Sequence, residues 1–89
     1  MKNFLVIVKE NEAEIESLIE DNFGEYNYKI KGGVWVVAAP AHKTGADVSN
    51  LLKLGAEDTL YPGIVIQVAT SYGYFDKILW DKINTWESV

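Results

Sequence analysis

The sequence predicts an α+β domain whose elements run βαββαβ, with one additional helix at the C-terminus. Three observations carry this. Apolar runs rich in β-branched residues recur at 3–9, 34–39 and 64–69. The stretches between them show helical spacing bounded by capping residues, and a Gly32-Gly33 pair joins two strand-like segments.

The first run, Asn3 to Lys9, reads as a strand buried on both faces. Asn11 is placed as an N-cap, with Glu14 three residues on to complete a capping box. Ile15, Leu18 and Ile19 form one stripe, and Gly24 marks the stop, so the first helix covers roughly 12–23. Tyr26, Tyr28 and Ile30 then alternate with Asn27, Lys29 and Lys31, the period of a half-exposed strand. The glycine pair predicts a hairpin into "VWVVAA", residues 34–39, which Pro40 ends.

Thr44, with Asp47 in the first turn, opens a second helix carrying Val48, Leu51 and Leu52, and Gly55 is expected to close it. Pro62-Gly63 is read as a turn before the strand 64–69. A third helix is expected from about Tyr74 to Glu87, with Phe75, Leu79, Ile83 and Trp86 near one stripe, Ile78 beside it and Trp80 off it. The first six elements make the split βαβ, or ferredoxin-like, arrangement: a four-stranded antiparallel sheet with two helices on one face. The third helix then lies on the open face or dimerises through it.

The 89 residues predict a single domain, 1–89. With 48% hydrophobic residues the chain is too apolar for disorder. It has no cysteine, which excludes disulfides, thiolate metal sites and a cysteine nucleophile. Its N-terminal apolar run is too short for a signal peptide or a membrane span, so a cytoplasmic protein with no membrane association is expected. The net charge is −5 and every basic residue is lysine. An acidic, arginine-free domain lacks the usual tools of nucleic-acid recognition, so nucleic acid is not the expected partner.

No motif assigns a catalytic residue, a cofactor or a metal. His42, in "PAHKTG", opens a helix where Lys43, Thr44 and backbone amides could hold a phosphate, although the spacing is not that of a phosphate loop. It reads equally as an exposed histidine beside an ordinary cap. Residues 10–25 hold seven acids and no base. Glu12, Glu16 and Glu20 stack at successive turns. They serve either as a solvated face or as an imitation of phosphate spacing that docks on the basic groove of a protein partner. Trp80 and Tyr74 are the candidate aromatic anchors, since such residues dominate binding hot spots.

The element order, the Trp in "GGVWVVAAP" and the "GIVIQVATSYGY" strand resemble a group of small ferredoxin-like proteins. That group holds the nuclease of CRISPR adaptation, VapD-type toxins and GhoS-type antitoxins. In the adaptation nuclease an Asp after the first strand holds a catalytic metal across a dimer. Here that stretch is "VKENE", with Lys9 and Glu10 and no Asp. The resemblance implies a dimeric metal-dependent endoribonuclease with Glu10 in the place of the Asp and His42 or Ser71 accessory. Composition and charge instead favour a non-catalytic interaction protein, of the kind a phage or mobile element would direct against a nucleic-acid-handling host complex.

Overall fold

The computed structural model describes residues 1–54, 61–68 and 77–87. Four strands and three helices follow one another as β1 (Lys2–Val8), α1 (Glu12–Phe23), β2 (Asn27–Lys31), β3 (Val34–Ala39), α2 (Gly45–Leu51), β4 (Gly63–Val68) and α3 (Lys77–Glu87). The strands form one antiparallel sheet in the order β2-β3-β1-β4. Each of the first two helices therefore joins strands that have a third strand between them. The apolar β1 is central, paired with β3 from Lys2↔Ala39 to Ile7↔Val34 and with β4 from Asn3↔Val68 to Val8↔Gly63.

Strand periodicity divides the sheet's side chains between two faces. Phe4, Val6, Val8, Trp35, Val37 and Ala39 point to one, where Ile15, Ile19 and Phe23 of α1 and Val48 of α2 close over them, with Leu52 and Leu54 beyond. Full burial of each such large side chain contributes roughly 1.5–3 kcal/mol. On the other face Val36 and Ala38 meet Leu79, Ile83 and Trp86 of α3, flanked by Leu5, Tyr26, Tyr28 and Ile30. The domain is thus three layers deep, and the apolar stripe of α3 is core.

Local chemistry explains most boundaries, with three corrections. Asn11 makes no side-chain cap; it sits in the left-handed region at φ 61, and only its carbonyl takes part, accepting from Ile15 N–H. Asn tolerates that region better than most residues. The second correction concerns the end of α2, where Lys53, at φ 58, does the work expected of Gly55. Its N–H donates to Asn50 O, and Leu54 N–H donates to Ser49 O, the paired bonds of a left-handed helix stop. Gly55 itself lies outside the described residues. Third, Gly63 is the first residue of β4 rather than part of a turn. A Cβ there would stand 2.9 Å from Leu54 Cδ2 and 3.0 Å from Ile7 O, so only glycine lets the strand approach so closely. The Gly32-Gly33 hairpin forms as expected. Gly33 holds φ +80, and a Cβ would come 2.7 Å from Val8 O.

Candidate functional site

Helix α1 turns Ile15, Ile19 and Phe23 into the core; Glu12, Glu14, Glu20 and Asp21 are all exposed, Glu14 and Asp21 on the side away from the sheet by helical period, Glu20 on a flank and Glu12 at the sheet-side end. The stripe Glu12, Glu16, Glu20 is not uniformly open. Glu16 Oε1 accepts from Lys29 Nζ of β2 at 3.2 Å, and the same ammonium stands 5.5 Å over the Trp35 ring. Glu12 leans the other way, over the β2–β3 turn: Cβ atoms built on Gly32 and Gly33 would each lie 3.2 Å from its Oε1. Glu20 has no ion pair among the described residues. The sequence could not reveal the Lys29 pairing, because it depends on where β2 docks beside α1.

At the start of α2 two of the amides that a phosphate could use, those of Thr44 and Asp47, are already engaged. Asp47 N–H donates to Thr44 Oγ1 at 3.2 Å, and Thr44 N–H donates to Asp47 Oδ2 at 2.8 Å. The Thr44 hydroxyl adds a bond to the same Oδ2 at 3.1 Å. The capping box is complete, and its carboxylate occupies the place an anion would take. The Thr44 N–H, then its hydroxyl, hold the Asp47 carboxyl below its usual range. The charges of Lys43 and His42 add to that effect. His42 is exposed in the preceding turn.

Glu10 is exposed in the bend between β1 and α1. Among the described residues no group of three or more His, Asp or Glu side chains is placed to hold a metal ion. Ser71 lies outside the described residues, as does Tyr74. Trp80 is half-buried on one flank of α3. By helical period the opposite flank carries Ile78 and Lys82, the latter 5.8 Å from the Trp86 ring. Since α1 and α3 cover opposite faces of the sheet, the acids of α1 and Trp80 do not share one surface.

Two recesses are lined by described residues. One, of about 160 Å³, opens at the end of the sheet among Phe23, Tyr26, Ala39, Val48 and Leu51, with Lys43 at its wall. The other, of about 370 Å³, is a groove between Glu25–Tyr26 and Asp81, Lys82, Thr85 and Trp86.

Sequence reasoning missed one surface. The cover of α3 stops at Leu5, and beyond it Ile7, Ile64 and Ile66 lie on the same face, 36%, 54% and 44% exposed. The alternation in β4 (Ile64 and Ile66 out, Val65 in) was present in the residues. It was masked because Val65 is apolar too. Comparison with protein families, curated proteins and solved structures finds no match to the chain.

Proposed function

We propose that the chain is a non-catalytic protein-interaction domain of ferredoxin-like topology, binding a partner's basic groove through the exposed acids of α1. The strand order β2-β3-β1-β4, with each crossover passing one intervening strand, supports the topology. The observation that carries the function is the set of exposed acids on α1. Glu12, Glu14, Glu20 and Asp21 are all open to solvent, while three core side chains hold the helix down. Glu16 shares its charge with Lys29. Glu12 and Glu20 therefore lead the stripe, two turns apart, about 12 Å along the axis. Fixed like charges at that spacing steer a basic partner and set register more than they add raw affinity. A nucleic-acid-handling protein, built to meet regularly spaced phosphates, is the partner class that fits.

The test compares the immobilised protein with its Glu12→Gln/Glu16→Gln/Glu20→Gln variant over one soluble cell extract, eluting with rising salt. The expected result is a stoichiometric partner released by salt from the parent and absent from the variant. Equal capture with equal salt dependence would sink the charge-docking reading. Titration with Mn²⁺ separates the alternative. Saturable binding abolished by Glu10→Gln, together with ribonuclease activity, would replace the interaction domain by a metal-dependent endoribonuclease.

A further inference from the structure

Two strands end the sheet, and they are equipped differently. The β2 edge carries Lys29 and Lys31, with a register shift between them. Charged side chains and irregular pairing are the usual means of blocking strand addition. The β4 edge, "GIVIQV", has no charge, no proline within the strand and no register shift against β1. Among the described residues no strand pairs with its outer side. Its exposed Ile64 and Ile66 adjoin the exposed Ile7 across the β1–β4 ladder, so, among the described residues, an unpaired backbone edge and an exposed apolar row coincide.

We propose that this edge pairs with the β4 edge of a second copy, antiparallel about a two-fold axis, to give a continuous eight-stranded sheet. Three features select a second copy as the occupant. An antiparallel edge is its own complement, because a two-fold normal to the sheet keeps both apolar rows on one face. The two-fold then passes through Val65, setting Ile64 opposite Ile66 of the copy, or through Ile66, setting it opposite itself. Charge points the same way. The chain carries −5, but its acidic helix packs against β2 and β3, at the other end of the sheet, and β4 brings no charge to the axis. Finally, the guarded β2 edge leaves one open edge among the described strands, so pairing closes at two copies instead of growing into a fibre. The dimer does not depend on the acidic face and would present two such faces at its ends.

The experiment is light scattering coupled to size exclusion over a low-micromolar to millimolar series, on the full chain and on Ile64→Lys and Ile66→Lys. Both substitutions fall on exposed positions, so circular dichroism should show a native fold. The expected result is a dimer in the parent and a dissociation constant raised about tenfold or more in each variant, as expected when a charge is placed in the apolar row that the pairing buries. The absence of native cysteine provides a second measurement. Under oxidation Val65→Cys or Ile66→Cys should form a symmetric cross-link, and which one does so reports the register. A parent chain monomeric throughout, with neither cysteine variant cross-linking, overturns the proposal and leaves the edge to a strand from another protein. Loss of partner capture in the α1 variant with the dimer intact would separate the two surfaces.

Discussion

The two ends of the sheet are built from similar numbers of residues and behave oppositely. At the β2 end, Lys29 and Lys31 alternate with Tyr28 and Ile30, a register shift bends the strand, and α3 covers the apolar side chains. At the β4 end the strand is uncharged and apolar but for Gln67, regular, and exposed along Ile64 and Ile66. The difference teaches that apolar content does not locate a strand within a sheet. The most hydrophobic strand after β1 and β3 sits on an edge, while the polar β2 is the better covered of the two edges.

Removing the lid from the covered end should have the largest effect. Trp86 is buried against Val36 and Ala38, and Trp86→Ala is expected to lower stability by about 3 kcal/mol, the lower end for a large aromatic because α3 is peripheral. Urea unfolding measures the loss. Hydrogen exchange should show α3 amides opening well before those of β1. If stability were unchanged, α3 would not be core, and the two halves of that face would be alike.

Stripping the guard from the β2 edge is the next test. Lys29→Val/Lys31→Val removes both charges, along with the Glu16 ion pair, an exposed interaction worth at most about 1 kcal/mol. The fold should survive, but with two open edges the chain should form assemblies that grow with concentration. Scattering indistinguishable from the parent would mean that the bend in β2, not its lysines, blocks addition.

How much of this was readable beforehand follows from the range of each interaction. The hairpin at Gly32-Gly33 and the Thr44 cap are determined within four residues, and both were predicted from the sequence, though the reciprocal bond from Thr44 to the Asp47 carboxylate was not. The stripe Leu79, Ile83, Trp86 was visible as well, because an eleven-residue helix supplies its own period. The failures depend on distant partners or on backbone conformation. Asn11 had the right residue type for a cap and the wrong φ. Lys53 took the left-handed position because Leu54 had to be buried one residue later. The Glu16–Lys29 pair joins residues 13 apart through the packing of α1 on β2. The exposure of Ile64 and Ile66 depends on strand order, which no single strand encodes.

The stop that leads from α2 toward β4 offers a smaller, stabilising change. Lys53 pays for its φ of 58 with the steric strain of a Cβ in the left-handed region. Lys53→Gly should raise stability by roughly 0.5–1 kcal/mol, strain relief outweighing the glycine entropy cost. Thermal unfolding at constant protein concentration checks it. A decrease would mean that the lysine stem contributes packing over Leu54 that outweighs the strain.

The smallest effect lies at the start of the same helix and depends on pH. Asp47 has its carboxyl held below the usual aspartate value of 3.8, chiefly by the Thr44 N–H and then by the Thr44 hydroxyl. A folded-state value below the unfolded one means that the unfolded chain binds the proton first as pH falls. The contribution of the box is therefore complete above 3.8 and is lost as pH drops through the lower folded value. The chain carries twelve other acids, so the parent's acid limb alone cannot isolate it. The difference between parent and Asp47→Asn can. It should be constant from neutral pH down to about pH 5 and shrink below pH 4, where the parent's carboxyl gains its proton. Because α2 packs against β4, the loosened helix start should also raise amide exchange in β4 more than in β2. Equal changes in the two edge strands would show that the sheet responds as one unit, and that the contrast between its edges is confined to their surfaces.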